Sequence, residues 1–126
     1  MIRIMIADDN KELNSKCSDF LAKDNNIIVV AQTTNGKDTI EKYRELMPDI
    51  LLLDLKLPKK DGIEVINELC LDTEEKKKCN IIVITGSISK RIQLRNTAKV
   101  YSVLSKPVNF DEVHQLIAEY SSQTLS

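Results

Sequence analysis

Residues 49–62 read DILLLDLKLPKKDG, and this stretch decides the fold. Its positions 50–53 form a continuous apolar run, which is typical of a strand covered on both faces in a parallel sheet. Asp54 follows directly, so its carboxylate is predicted at the C-terminal edge of that strand, where open α/β sheets bind ligands. Pro58 and the Asp-Gly pair at 61–62 then indicate a shaped loop. An acid in this position favours a chemical role over one in packing.

The composition of the chain indicates one soluble domain. The 126 residues are 42% hydrophobic and 29% charged, and the net charge of −1 argues against direct nucleic-acid binding by the domain. No apolar run approaches the roughly 20 residues of a membrane span, and no signal-peptide cleavage site follows the N-terminus. The three cysteines lack CxxC spacing, and Cys17 and Cys70 occupy apolar helical positions, which predicts small core residues. We therefore expect a cytoplasmic protein that does not enter a membrane.

The rest of the chain alternates strands with helices. The strands are predicted at residues 2–6, 27–31, 50–53, 81–85 and 101–104. The helices are predicted to begin near Asn10, Gly36, Gly62, residue 88 and Asn109. Five strands alternating with five helices predict an α/β fold with a doubly wound, five-stranded parallel sheet and right-handed crossovers. The predicted domain covers residues 1–120, and residues 121–126 are a polar C-terminal tail or the start of a linker.

Polar residues follow four of the predicted strands. The first strand ends in Asp8-Asp9, the third in Asp54, the fourth in Thr85 and the fifth in Lys106. In a parallel sheet these ends share one edge, and three nearby carboxylates repel one another unless a cation lies among them. Oxygen ligands of this kind suit Mg²⁺. A metal, a lysine and a hydroxyl around one carboxylate are the groups needed to move a phosphoryl group onto it.

The same residues resemble a response-regulator receiver domain of two-component signalling, over essentially the whole chain. Asp54, Pro58 and Gly62 have the D-x-x-x-P-x-x-x-G spacing of that family, and Pro107 follows the lysine. The resemblance implies a flavodoxin-like sheet of strand order 2-1-3-4-5 and phosphorylation of Asp54. It also implies Mg²⁺ held by Asp8, Asp9, Asp54 and the backbone carbonyl of Lys56, and phosphoryl oxygens bound by Thr85 and Lys106.

The resemblance extends to partners. It implies a sensor histidine kinase or phosphotransfer protein as phosphodonor, and an output domain or partner on the face formed by residues 88–120. It implies a monomer or a phosphorylation-dependent dimer, and leaves open whether the domain is the regulatory half of a DNA-binding transcription factor. The run ADDNKEL (residues 7–13), with Asn35-Gly36, is further similar to the receiver of the sporulation master transcription factor of spore-forming bacteria.

The fifth strand departs from the family pattern. Receivers usually carry an aromatic switch residue three positions before the lysine, where this chain has Val103. Strand alternation places Tyr101 on the same face as Val103, so Tyr101 is either a replacement switch or a half-buried aromatic. His114, on a polar helical face, is expected at the surface. The basic residues of 88–99 form either a solvated face or a docking surface.

Two other classes of function are weighed against the receiver. A pseudo-receiver would keep the fold and act only as a scaffold, and the intact acids argue against it. A phosphohydrolase of the haloacid-dehalogenase type also uses an aspartyl nucleophile, but it needs a second acid two residues later, where this chain has Lys56. The sequence therefore predicts no enzyme beyond self-catalysed phosphotransfer and autodephosphorylation.

Overall fold

A computed structural model describes residues 1–70, 79–87, 89 and 100–124. Within these ranges there are five strands, namely β1 (Ile2–Ala7), β2 (Ile27–Thr33), β3 (Ile50–Asp54), β4 (Cys79–Thr85) and β5 (Val100–Ser105). The helices in the same ranges are α1 (Lys11–Leu21), α2 (Gly36–Leu46), α3 (Gly62–Cys70) and α4 (Phe110–Thr124). The helix predicted over residues 88–99 falls outside the described residues, apart from position 89.

All five strands are parallel and lie in the order β2-β1-β3-β4-β5. The predicted doubly wound sheet and its strand order are therefore confirmed. β3 is central and all five of its residues are buried, as its continuous apolar run predicted. Since β1 and β4 flank β3, the C-terminal ends of these three strands are neighbours. The strand order reverses between β1 and β3, which is where such sheets form a ligand crevice.

Each face of the sheet has its own hydrophobic core. Along β3, Leu51 and Leu53 belong to the cluster shared with α2 and α3, whereas Ile50 and Leu52 belong to the cluster shared with α1 and α4. This alternation follows from the two-residue period of a strand. Full burial of one such side chain stabilises the fold by about 1.5–3 kcal/mol. Because β3 contributes side chains to both clusters, it anchors the helices on both faces of the sheet.

The last helix extends beyond its predicted end. α4 runs to Thr124, whereas the sequence predicted a polar tail from residue 121. Polar residues can continue the hydrogen-bonded turns of a helix without adding to its apolar stripe, so a boundary taken from that stripe comes too early. At the other end the prediction holds: Asn109 Oδ1 accepts the backbone N–H groups of Asp111 and Glu112 at 3.0 and 3.2 Å.

The predicted position of Tyr101 is wrong. Val103 belongs to the cluster beneath α2 and α3, whereas Tyr101 packs on the opposite face, with its ring 5.0 Å from that of Tyr120 at an interplanar angle of 87°. The pairing of β4 with β5 shifts register between Cys79 and Ile82, and this irregularity breaks the alternation on which the prediction rested. Tyr101 therefore cannot replace an aromatic at position 103 by lying beside it.

His114 makes a contact that the sequence did not predict. Its Nε2 lies 2.8 Å from Asp24 Oδ2, so it is a partly exposed residue that joins α4 to the turn after α1. Among the described residues, no helix is long and apolar enough to cross a membrane.

Candidate functional site

Asp54 ends β3 with its side chain 3% exposed. One carboxylate oxygen, Oδ2, accepts a hydrogen bond from Lys106 Nζ at 2.9 Å. The other, Oδ1, accepts the backbone N–H of Lys56 at 3.0 Å. Both oxygens are thus oriented by groups from two different strand ends. A buried carboxylate with charge-assisted hydrogen bonds of this kind is held in one geometry.

Lys106 follows β5, and its backbone N–H donates to the Thr85 carbonyl at 3.0 Å. This bond ties the ends of β4 and β5 together and brings the ammonium over Asp54. Burial alone would lower the pKa of Lys106, but the hydrogen bond to Asp54 and the nearby negative charges outweigh it and raise that pKa. The lysine therefore stays cationic beside the carboxylate.

Asp8 and Asp9 follow β1 and differ in exposure. Asp8 is 7% exposed and its Oδ1 accepts the Asn10 backbone N–H at 2.9 Å, whereas Asp9 is exposed. Carboxylate oxygens of Asp8, Asp9 and Asp54 lie within 4.8 Å of one another. Burial raises the pKa of Asp8, and the charges of Asp54 and Asp9 add to this, while the Asn10 hydrogen bond and the Lys106 charge oppose it. Three acids this close are the donor set that a hard divalent cation requires.

The loop after β3 is shaped by two close backbone approaches. Gly62 donates its N–H to the Leu55 carbonyl at 2.8 Å, and a Cβ at Gly62 would lie only 2.5 Å from Leu55 Cα. Gly36, at the start of α2, would place a Cβ 1.8 Å from the Lys60 carbonyl oxygen. Only glycine fits at either position, because the atoms in the way are backbone. The glycines thereby fix the loop that carries Lys56 beside Asp54.

Thr85 ends β4 with its side chain 5% exposed. Its Oγ1 accepts the Ser87 backbone N–H at 3.1 Å, so the hydroxyl proton remains available for donation to another acceptor. Thr85, Gly86, Asp54 and Lys106 line the same open cleft, whose volume is about 650 Å³. A hydroxyl donor and an ammonium thus face the cleft from two sides.

Asn14 belongs to the support of the site, and sequence reasoning missed it. This α1 residue is 3% exposed. Its Nδ2 donates to the carbonyls of Thr33 and Asp8 at 3.0 and 3.3 Å, and its Oδ1 accepts from Gln32 Nε2 at 2.9 Å. Asn14 therefore bridges the ends of β1 and β2 directly behind Asp8. Asn14 lies on the same helical face as Cys17 and Leu21, and this spacing was the sequence signal for its burial. Its polar side chain suggested instead that it would be exposed.

The structure brings five predicted site residues to one edge of the sheet: Asp8, Asp9, Asp54, Thr85 and Lys106. Lys56 joins them through its backbone N–H, and the metal-binding role of its carbonyl stays a prediction. Val103 is 8% exposed within the core beneath α2 and α3, and it does not line the cleft described above.

A parallel sheet of this order with acids, a hydroxyl and a lysine at its C-terminal edge defines a two-component receiver. Residues 4–118 match the family model of the response regulator receiver domain, and the chain belongs to this family. Receiver domains of this family generally bind Mg²⁺, in keeping with the acidic cluster. The family consists of regulatory domains of two-component systems, which work with histidine kinases and output domains.

Two curated relatives match nearly the whole chain. The chain is 29% identical over 124 residues to protein-glutamate methylesterase/protein-glutamine glutaminase 2 of Methanosarcina mazei, covering 94% of this chain and 33% of that protein. It is 26% identical over 121 residues to the probable C4-dicarboxylate response regulator DctR of Bacillus subtilis, covering 94% of this chain and 51% of that protein. The chain thus spans a third to a half of the length of these relatives.

Solved structures share the fold over almost their full length. The receiver domain of the Francisella response regulator 1452 superposes with a TM-score of 0.85 at 19% identity, covering 98% of this chain and 99% of that one. The response regulator domain of Thermotoga maritima CheB superposes with a TM-score of 0.76 at 21% identity, covering 99% and 96%. At these identities the likeness shows the fold alone.

Proposed function

We propose that Asp54 accepts a phosphoryl group from a phosphohistidine of a sensor kinase or phosphotransfer protein, in a reaction that depends on Mg²⁺. The observation that carries the proposal is the position of the Asp54 carboxylate, 2.9 Å from Lys106 Nζ and within 4.8 Å of the Asp8 and Asp9 carboxylates. Among the acids in the cluster, only Asp54 ends the central strand and bonds the lysine directly.

The transfer needs few protein groups. A carboxylate oxygen of Asp54 attacks phosphorus, forming a P–O bond as the P–N bond to the donor imidazole breaks and its electron pair returns to nitrogen. Lys106 and the Thr85 hydroxyl donate to phosphoryl oxygens, where negative charge develops. Because both groups are held by the strand ends before the donor arrives, little reorganisation accompanies the reaction.

The donor set fits Mg²⁺. Burial and repulsion from Asp54 and Asp9 raise the pKa of Asp8. The positive charge of Lys106 alone therefore does not balance the three carboxylates. Asp8, Asp9 and Asp54, with the Lys56 carbonyl, would hold the ion. When bound, Mg²⁺ neutralises charge on the phosphoryl oxygens and on the carboxylates around them.

A phosphohydrolase is the less favoured function. The residue two positions after Asp54 is Lys56, whose side chain is exposed and whose backbone N–H contacts the Asp54 carboxylate. No acid occupies the position from which a haloacid-dehalogenase-type enzyme protonates its leaving group. The Methanosarcina mazei relative is named a methylesterase, but it is about three times the length of this chain, which matches 33% of it.

We propose that phosphorylation changes the conformation at the ends of β4 and β5, and that a partner recognises this change. Donation from Thr85 and Lys106 to the phosphoryl group would shift populations through contacts that exist only in the phosphorylated state. Ser87 N–H bonds Thr85 Oγ1, so movement of Thr85 is passed to the residues that follow β4. The partner-binding face, residues 88–120, would then include β5 and the part of α4 up to residue 120. Hydrogen exchange with and without beryllofluoride, a phosphoryl mimic, should change protection across residues 86–106.

We further propose that the chain regulates an output domain in a longer response regulator, since the relatives extend well beyond the matched region. Sequencing the gene on both sides of the coding region tests this, and a reading frame closed at both ends of the chain would contradict it. The same gene sequence would show whether that output domain is a DNA-binding domain.

The phosphoacceptor assignment is tested with acetyl phosphate and Mg²⁺, followed by intact mass. Wild type should gain one phosphoryl group, and Asp54→Asn should gain none. Asp61→Asn is the matched control: Asp61 lines the same cleft, and asparagine can still accept the Glu64 N–H that Asp61 Oδ1 accepts at 2.9 Å. A chelator should abolish labelling in both labelled proteins. Full labelling of Asp54→Asn would refute the assignment.

A further inference from the structure

The peptide bond between Asp8 and Asp9 joins two of the three acids in the cluster. β1 ends at Ala7, where its pairing with β2 ends opposite Thr33. Because a peptide unit is planar, the direction of the Asp8 carbonyl determines where Asp9 leaves the backbone. Asp9 itself is exposed. Its position relative to Asp8 therefore depends on the groups that hold this peptide.

Asp8 is bonded through both of its backbone groups. Its N–H donates to the Thr33 carbonyl at 3.1 Å, and its carbonyl accepts Asn14 Nδ2 at 3.3 Å. The same Nδ2 donates to the Thr33 carbonyl at 3.0 Å. The two hydrogens of one amide thus reach the ends of both β1 and β2, so Asn14 fixes the Asp8 peptide relative to the neighbouring strand.

The orientation of the Asn14 amide follows from its partners. Carbonyl oxygens only accept hydrogen bonds, so Nδ2 must face Asp8 and Thr33. Oδ1 then faces Gln32, whose Nε2 donates to it at 2.9 Å. Asn14 is 3% exposed, so water has little access to replace these bonds. An apolar side chain at this position would remove a donor from the Asp8 carbonyl, and a carbonyl that loses its donor favours turning toward another.

The first turn of α1 closes a ring of hydrogen bonds around Asp8. The Asn10 N–H donates to Asp8 Oδ1 at 2.9 Å, and the Asn10 carbonyl accepts the Asn14 N–H at 2.9 Å. Asn14 Nδ2 then returns to the Asp8 carbonyl. The start of α1 therefore holds both the carboxylate and the backbone of the same acid.

We propose that Asn14 is a positioning residue for the Mg²⁺ site, which sets the placement of Asp8 and Asp9 by holding the peptide between them. The inference rests on the proposed Mg²⁺-dependent function. Asn14 bonds the backbone of Asp8 and not its carboxylate, so its effect on the ion passes through the two acids. Groups that orient metal ligands typically contribute about 10–100-fold to metal affinity.

The test measures binding of Mn²⁺, which takes the same oxygen ligands as Mg²⁺ and whose free form is counted by electron paramagnetic resonance. Asn14→Leu and Asn14→Ala both remove the amide, and alanine is too small to clash. Each variant should bind Mn²⁺ about tenfold more weakly than wild type. Leu21→Val is the matched control, because Leu21 is fully buried on the same face of α1 and its apolar side chain makes no hydrogen bond. It should lose stability and keep the wild-type Mn²⁺ affinity.

Phosphorylation gives a second readout. At low Mg²⁺, labelling of both Asn14 variants by acetyl phosphate should be about tenfold slower than labelling of wild type. At saturating Mg²⁺ it should approach the wild-type rate, because the Asp54–Lys106 pair is unchanged. A loss that persists at saturating Mg²⁺ would contradict a role that acts through metal affinity.

The outcomes separate this inference from the proposed function. Circular dichroism checks that each variant is folded. If Asp8→Asn weakens Mn²⁺ binding while the Asn14 variants keep the wild-type affinity, the inference is overturned and the proposed function stands. Equal weakening in Leu21→Val would also overturn the inference, because affinity would then follow stability. If wild type binds no Mn²⁺, the metal-dependent function is wrong and the inference is wrong with it.

Discussion

Replacing Asp8 by asparagine tests the electrostatics of the acidic cluster directly. Asparagine keeps the shape of the side chain and an oxygen that can accept the Asn10 N–H, which Asp8 accepts at 2.9 Å. The substitution removes only the negative charge, which is buried and repelled by Asp54 and Asp9. In the presence of a chelator, the free energy of unfolding of Asp8→Asn should be higher than that of wild type, because the folded variant no longer buries that charge.

The magnitude follows from the spacing of the carboxylates. Two unit charges 4.8 Å apart repel by about 3.5 kcal/mol at an effective dielectric constant of roughly 20. Attraction to Lys106 offsets part of this repulsion, while the desolvation of Asp8 adds to its cost. The net gain in the free energy of unfolding should be about 1–3 kcal/mol.

Urea unfolding followed by circular dichroism measures this difference. Asp9→Asn is the matched control: Asp9 is exposed, so solvent screens its charge and its removal should stabilise less than removal of Asp8. Adding Mg²⁺ at about ten times its dissociation constant should stabilise wild type by about 1.4 kcal/mol and the Asp8 variant by less. If Asp8→Asn is less stable than wild type in the chelator, the reasoning about repulsion is wrong.

The difference in free energy of unfolding between wild type and Asp8→Asn should depend on pH in a direction that the pKa of Asp8 sets. Burial raises the pKa of folded Asp8 above its ordinary value of 3.8, so the folded state binds this proton more tightly than the unfolded state. As the pH falls through the raised pKa, protonation of Asp8 removes the repulsion, and the free energy of unfolding of metal-free wild type should therefore rise. This increase should be complete below pH 3.8. Asp8→Asn lacks this titration, so the difference between the two proteins should narrow on acidification. A constant difference would contradict the raised pKa.

A further prediction concerns backbone packing. Gly36→Ala should lower the free energy of unfolding by about 2–3 kcal/mol, because a Cβ there would lie 1.8 Å from the Lys60 carbonyl oxygen. Gly86→Ala, whose nearest contact would be 3.9 Å away, should change it by less than about 0.5 kcal/mol, and equal losses in urea would refute the packing argument.

The sequence by itself determined the sheet and the acids at its edge. β3 is buried on both faces, so its four apolar residues form one continuous run, and the position of Asp54 at its end follows from that run alone. Parallel pairing then places the residues after β1, β4 and β5 on the same edge, whatever the details of packing. The site residues could be predicted because each is the last residue of a strand or lies within two residues of its end.

The tertiary structure decided what depends on contacts between distant parts of the chain. Asp8 and Asp9 are adjacent in sequence, yet only the packing of β1 against its neighbours buries one and exposes the other. The face of Tyr101 depends on a register shift between two strands, which local alternation cannot encode. The contact between His114 and Asp24 likewise joins residues that lie 90 positions apart in the chain. Sequence periodicity reports which way a side chain points from its own element, whereas burial, register and contact are set by the element it meets.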